Sequence, residues 1–247
     1  MNVAPIKTHA IIAGHDSIFD VLDTYLPPLK NRSVVAVTSK IVSLCEGSVV
    51  PIDQSDLETL VIQHADHYLP KSFNKYGFNF TITNNTMIAS AGIDQSNGNG
   101  NYVLWPKNPQ ASADVIREHL ITKHRIPSVG VIITDSKTIP LRWGTVGTAI
   151  AHSGFRALND YRGTNDLFNY KMRVTKANVV EGLAAAACLI MGEGSESTPL
   201  AIIDDVPFVE FHKKDTPNEP SDAISLEEDL YAPILTAAPW RRGKKKN

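Results

Sequence analysis

A mixed α/β (α+β) fold, with mixed sheets flanked by helices, is predicted by three features of the sequence. Short runs rich in Val and Ile, at 33–38, 129–135 and 199–203, read as buried strands. Segments between them carry apolar residues at helical spacing and end at glycine or proline. The 247 residues are 43% hydrophobic and 20% charged, enough to bury a substantial core. A single domain over 1–247 is expected, with a smaller subdomain inserted around 140–175 and a basic tail at 241–247.

The stretch 6–12 reads as extended. A helix follows over 16–26, with Ile18, Val21, Leu22, Tyr25 and Leu26 on one face, Asp16 or Ser17 as cap and Pro27-Pro28 as stop. Strand 33–38 runs straight into a short helix from Ser39, closed by Gly47. Lys40 at the start of that helix, beside free N–H groups, is a phosphate site or an ordinary surface lysine. Another strand is expected at 48–52. Ser55 and Glu58 have capping-box spacing for a helix carrying His64 and His67. With no third ligand near in sequence, that histidine pair reads as a solvated face rather than a metal site.

Strands 78–83 and 86–90 are joined by Asn84-Asn85, whose tolerance of left-handed geometry predicts a hairpin. The glycines of Asn97-Gly-Asn-Gly100 make the next loop permissive. Segment 102–106 leads to a helix capped near Asn108 or Ser112, with Ile116 and Leu120 inward, ending before Pro127. A glycine-punctuated strand spans 140–150. Thr175 is expected to cap a helix that packs Val179, Leu183, Ala186, Ala187 and Ile190 and ends at Gly192. Segment 212–224, rich in Lys, Asp, Pro and Ser, reads as a mobile loop.

Composition narrows the function classes. A formal net charge of −2 calls for neither nucleic acid nor anionic lipid, and the run from Arg241 to Lys246 reads as a solvated tail. No apolar run approaches the roughly 20 residues of a membrane span, and the first ten residues have no signal-peptide pattern. Cys45 and Cys188 are expected as buried free thiols in a reducing compartment, so a cytoplasmic location is expected.

The chemistry centres on two apolar runs that each end in an acid, Asp94 and Asp135. Carboxylates at two strand ends suit a hard cation such as Mg²⁺ or Mn²⁺, which takes oxygen ligands, usually one or two carboxylates plus substrate phosphates. Arg142 and Arg162 suit anions through a bidentate fork. Arg162 is equally suited to a salt bridge with Asp160 or Asp166. His152 is a candidate proton acceptor, though a lone histidine after an apolar strand is more often structural. Glu193 sits just past a helix C-terminus, where a cation or plain solvent relieves its clash with the helix dipole.

In order along the chain, Ser39-Lys40-Ile-Val-Ser43 with Glu46-Gly47, Ala91-Gly-Ile-Asp94 with Ser96-Asn97, Gly130-Val-Ile-Ile-Thr-Asp135-Ser136, Arg142 with Gly144-Thr-Val-Gly147 and Ala149-Ile150, Asp160-Tyr-Arg162-Gly163 with Asp166-Leu167, and Met191-Gly-Glu193 make a specific series. By these motifs the chain resembles the coenzyme F420-0:L-glutamate ligases. The resemblance implies an intertwined homodimer and a GTP-dependent (or ATP-dependent) ligase. Such an enzyme forms a γ-glutamyl amide between L-glutamate and a carboxylated acceptor through an acyl phosphate, with Mg²⁺ or Mn²⁺ and often K⁺. Carried over by motif, Asp94 and Asp135 hold one divalent metal, and Ser136 and Glu193 contribute to a second. Ser39, Lys40, Asn97 and the loop containing Gly192 and Gly194 contact the nucleotide. Asp94, Asp135 and Arg142 are the residues expected to carry catalysis.

The chain departs from the family pattern in three places. Leu44 stands where a second lysine is usual, 7–10 replaces a Gly-Leu-Pro loop, and Phe168-Asn169-Tyr170 replaces Tyr-Gly-Arg. The acceptor is thus an F420-0-like molecule, a folate or another carboxylated metabolite. A metal-dependent phosphate hydrolase and a non-catalytic nucleotide-binding relative are the alternative classes.

Overall fold

Val34, Val35, Val37, Ile132, Ile133 and Ile203 are sealed from solvent, and the strands that carry them form the middle of the molecule. The computed structural model describes residues 1–212 and 222–244. In chain order the regular elements are β1 (Asn2–Ile6), α1 (Ile18–Tyr25), β2 (Val34–Thr38), α2 (Ser39–Glu46), β3 (Val49–Pro51), α3 (Leu57–His64), β4 (His67–Tyr68), β5 (Phe80–Thr83), β6 (Thr86–Ala89), β7 (Asn101–Val103), α4 (Pro109–His124), β8 (Gly130–Thr138), β9 (Thr145–Ser153), β10 (Leu158–Asp160), β11 (Lys176–Asn178), α5 (Val179–Met191), β12 (Leu200–Asp204), α6 (Ala232–Leu235) and β13 (Arg241–Arg242).

The central sheet has the order β1-β12-β2-β8-β9. Only β2 and β8 pair in parallel; the other neighbours are antiparallel. Its two faces feed two cores, one holding Val35, Val37, Ile133, Ile116 and Leu120, the other Ile132, Leu183, Ala184 and Ala187. Helices α1, α2 and α4 therefore cover one face and α5 the other. A four-stranded sheet, β13-β4-β5-β6, and the pairs β3-β7 and β10-β11 complete the mixed architecture.

Helix α5 packs tightly because its sheet-facing side is small. A Cβ on Gly147 of β9 would lie 2.5 Å from Cys188 Cβ and 2.6 Å from the Ala184 carbonyl. Gly147→Ala is expected to cost about 1–3 kcal/mol by overpacking, measured as a lowered urea midpoint.

Several local expectations are corrected. The N-terminal strand is β1, before the stretch 6–12, because its partner β12 extends only from Leu200 to Asp204. Helix α3 is capped by Asp56, not Ser55: the Asp56 carboxylate accepts from Thr59 N at 2.9 Å. That helix ends at His64, and His67 lies on β4, so the two histidines do not share a helix face. Asn178, not Thr175, caps α5, accepting from Glu181 N at 3.1 Å. The buried face of α5 is Val179, Val180, Leu183, Ala184, Ala187, Cys188 and Met191, while Ile190 is exposed. Arg241 and Arg242 pair with Tyr68 and His67, so the start of the basic tail is a strand. Lys245, Lys246 and most of the expected loop at 212–224 lie outside the described residues.

Asn84 (φ 49°) and Asn85 (φ 55°) make the expected hairpin turn. Cys45 is half-buried and Cys188 buried; burial pushes their thiols up to about 12 and about 11, which favours the protonated thiol in both. Strand β9 belongs to the central sheet, and residues 161–171 are exposed. No helix among the described residues is long and apolar enough to cross a membrane.

Candidate active site

A cleft of about 250 Å³ opens where the ends of several elements meet, lined among others by Thr8, Ser39, Lys40, Asp94, Asp135 and the loop from Gly192 to Ser197. Each side chain arrives by a local rule. Strand β2 passes directly into α2, so Ser39 and Lys40 occupy the first turn of that helix. Gly192, at φ 81°, ends α5 and turns the chain into the 193–197 loop.

Asp94 does not end a strand as expected. Strand β6 stops at Ala89, and Ser90 (φ 52°) and Ala91 (φ 56°) turn the chain before Asp94 makes an isolated bridge to Val103. Asp135 lies within β8, which continues to Thr138 beside β9. Both residues nevertheless line the same cleft. That juxtaposition is what metal chemistry at this site requires.

The Asp94 carboxylate accepts from Lys40 Nζ at 2.6 Å and from the Ser96 amide and hydroxyl at 2.8 and 2.7 Å. Burial works to raise its pKa, but the Lys40 and Ser96 donors outweigh burial and hold the carboxyl below the ordinary value. Lys40 Nζ also donates to the Ser96 carbonyl at 2.9 Å. Asp135 accepts from the Trp105 indole N–H and from Ser136 N at 2.7 Å. Burial pushes the Asp135 carboxyl up to about 6 against those two donors, and the neighbouring Asp94 charge adds to the rise. Ser136 Oγ donates to Glu193 at 3.3 Å, and Asn97 Nδ2 to the Gly194 carbonyl at 3.1 Å, tying the 193–197 loop to two other walls.

Among the described lining residues, Asp94, Asp135, Glu193 and Glu196 supply carboxylates and Lys40 alone supplies a lysine or arginine. A triphosphate entering such a cleft needs cations to offset the acids. No group of three or more His, Cys, Asp or Glu side chains forms a ready metal cage among the described residues. The donor set that is present, two carboxylates flanked by a serine hydroxyl and Glu193, is all oxygen. It fits a Mg²⁺-type ion, which is held by one or two carboxylates and completed by phosphates and water.

Trp105, buried behind the cleft wall and donating to Asp135, is the residue that the sequence does not announce. Its partner lies 30 positions away, and the local signal was Gly92. A Cβ on Gly92 would lie 2.1 Å from Trp105 Nε1, so only glycine lets the indole lie across the chain and reach Asp135. Trp105→Phe is expected to weaken Mn²⁺ binding by about 10–100-fold without unfolding the protein, read by electron paramagnetic resonance of the free ion.

The other candidates fall elsewhere. Arg162 forms a bidentate pair with Asp160 at 2.6–3.0 Å, which holds the Asp160 carboxyl down to about 2; this is the salt-bridge reading. Arg142 and the buried His152 border a second cavity of about 960 Å³. Burial lowers the His152 pKa, favouring the neutral ring. Leu44 forms part of the cleft wall, as do Thr8, His9 and Ala10. Thr8 N donates to the Ser197 carbonyl at 2.9 Å, fastening the altered N-terminal segment to the glycine loop.

A helix-flanked mixed sheet bearing an acid-lined cleft closed by the 192–197 loop defines the class as an α/β protein with a polar cleft where its elements end. Within that class, the chain belongs to the F420-0:Gamma-glutamyl ligase family, whose pattern it matches over residues 5–205. It is 34% identical over 198 residues to the Coenzyme F420:L-glutamate ligase of Methanocaldococcus jannaschii, covering 73% of this chain and 79% of that one. It is 32% identical over 223 residues to the protein of that name from Methanopyrus kandleri, covering 82% and 86%. The match to the Haloarcula marismortui protein of the same name is 40% over 123 residues, covering 49% and 48%.

Proposed function

We propose that this chain is a nucleotide-dependent ligase that joins L-glutamate to a carboxylated, F420-0-like acceptor through a γ-linked amide. GTP is the favoured phosphate donor over ATP, with Mg²⁺ or Mn²⁺ at the cleft and K⁺ as an accessory ion. The observation that carries this reading is the meeting of Asp94, Asp135 and Lys40 in one cleft, within a chain of the ligase family.

Amide formation in water needs the acceptor carboxylate activated, because an oxide ion is a poor leaving group. A carboxylate oxygen of the acceptor attacks the γ-phosphorus, and the nucleoside diphosphate leaves. The glutamate amine, having lost its proton, attacks the acyl carbon of the resulting acyl phosphate, and inorganic phosphate leaves. Phosphoryl transfer of this kind asks a protein chiefly for positioning and charge neutralisation. A divalent ion held by Asp94 and Asp135 supplies the neutralisation, with Ser136 and Glu193 as donors to a second position. Trp105 and the Ser136 amide orient Asp135. Lys40, Ser39 and Asn97, with the Gly192 and Gly194 backbone, receive the phosphates and nucleotide. Arg142 is assigned to an anionic part of a substrate rather than to the triphosphate.

A homodimer is proposed on a separate observation. Leu141 and Trp143, between β8 and β9, and Leu167, Phe168, Tyr170 and Val174, between β10 and β11, are 74–95% exposed, apolar side chains that a second subunit would cover.

Incubation of the protein with GTP, Mg²⁺ and F420-0, with and without glutamate, tests the activity. A ligase gives a one-glutamate mass gain and releases phosphate only with both organic substrates present. Phosphate release without glutamate supports the hydrolase alternative, and tight nucleotide binding without turnover supports the non-catalytic one.

A further inference from the structure

The second cavity is larger than the cleft and built differently. At about 960 Å³ it falls within the range of roughly 300–1,000 Å³ that encloses small organic ligands. Phe78, Phe80, Ile88, Ile139, Ile150 and Leu226 give it apolar and aromatic walls. Aromatic faces of this kind stack on planar rings.

The two cavities adjoin along two stretches of chain. On β8, Ser136 lines the cleft and Lys137 lines the cavity; Ala89, the last residue of β6, lines the cavity and Gly92, three residues on, the cleft. Side chains alternate along a strand, so Asp135 and Lys137 lie on one face of β8, roughly 6.6 Å apart along it.

Lys137 is held in place. Glu181 accepts from Thr148 Oγ1 at 2.7 Å and from Ala149 N at 3.3 Å, which fixes its carboxylate against β9. From there it lies 3.6 Å from Lys137 Nζ, a loose ion pair that leaves ammonium protons for another acceptor. Arg142, also lining the cavity, donates from Nη1 to the Leu141 carbonyl at 2.8 Å and has no carboxylate partner among the described residues. Asp222 and Asp229 line the cavity as well, and among its described lining residues Lys137 and Arg142 alone supply a lysine or arginine.

We infer that this cavity is the acceptor site, that it takes a planar ring system with its negative charge at one end, and that Lys137 grips the terminal carboxylate. The ring lies against the apolar walls, and Lys137 presents the carboxylate to the phosphate end of the neighbouring cleft. Naming the occupant as the acceptor rests on the ligase reading above; the existence of the site does not.

The test is calorimetric titration of the intact protein with F420-0 and, separately, with a monoglutamyl folate, both ring systems bearing carboxylates. Wild type is expected to bind at least one of them. Lys137→Met should weaken that binding about tenfold or more, Lys137→Arg should restore most of it, and GTP affinity should be unchanged in both variants. Binding of neither compound, or equal binding by wild type and Lys137→Met, overturns the inference. Binding that depends on Lys137 in a protein that incorporates no glutamate retains the site and removes the ligase reading. Glutamate incorporation with an acceptor KM unaltered by Lys137→Met removes the site and retains the ligase.

Discussion

Asp135→Asn is expected to lose turnover by about 10²–10³-fold or more while making the metal-free protein more stable at pH 7.5. The two effects have one cause. Burial raises the Asp135 carboxyl from 3.8 to about 6, so its ionised form is costly in the fold. Below pH 3.8 the group is protonated in folded and unfolded chains alike and its contribution to stability is fully present. As pH rises from 3.8 through about 6, the unfolded chain ionises first, and that contribution is lost. Above pH 6 the metal-free wild type bears a penalty on the order of 2–3 kcal/mol, which asparagine does not carry. Thermal melts at pH 7.5 should place the variant above wild type without metal. Added Mn²⁺ should raise wild type and leave the variant unmoved. Asp94→Asn should lose turnover similarly, but without the gain in stability, because Lys40 and Ser96 already favour the Asp94 charge.

Lys40→Met is expected to lower turnover by about 10²-fold and to move two binding equilibria in opposite directions. Lys40 now sits 2.6 Å from the Asp94 carboxylate, where it competes with a metal ion and attracts a phosphate. Its removal should tighten Mn²⁺ binding measured alone and weaken GTP binding measured with Mn²⁺ saturating. A structural lysine would alter melting temperature without this opposed pair of shifts.

Much of the scaffold was legible because its signals are local. The runs at β2, β8 and β12 are β-branched and too short for helices, and Gly47 and Gly192 end α2 and α5 as expected. The pairing of Asp94 with Asp135 in one cleft was legible from two apolar runs that each end in an acid and from the ordered set of motifs. Its geometry was not. Strand β6 ends early because Ser90 and Ala91 adopt positive φ, a conformation their residue types do not advertise. The strand containing Asp135 runs on because β9 pairs with it across the residues after the acid, a contact that arrives from later in the chain. Caps were missed by one to three residues where Asp56 and Asn178 outcompeted nearby Ser55 and Thr175. Trp105 was invisible for the same reason as the pairing of β13 with β4: each is defined by a distant partner. Gly92 and Gly147, read at first only as motif letters, acquire their physical meaning from the side chains that press against them.

The central claim is that Asp94 and Asp135 together hold a divalent ion that grips a nucleoside triphosphate. A crystal of the protein with Mn²⁺ and a non-hydrolysable GTP analogue, measured for manganese anomalous scattering, tests it most directly. The account predicts a manganese peak between the Asp94 and Asp135 carboxylates, in contact with the phosphates. A triphosphate bound with manganese elsewhere, and with Asp94 still paired to Lys40 alone, would contradict it.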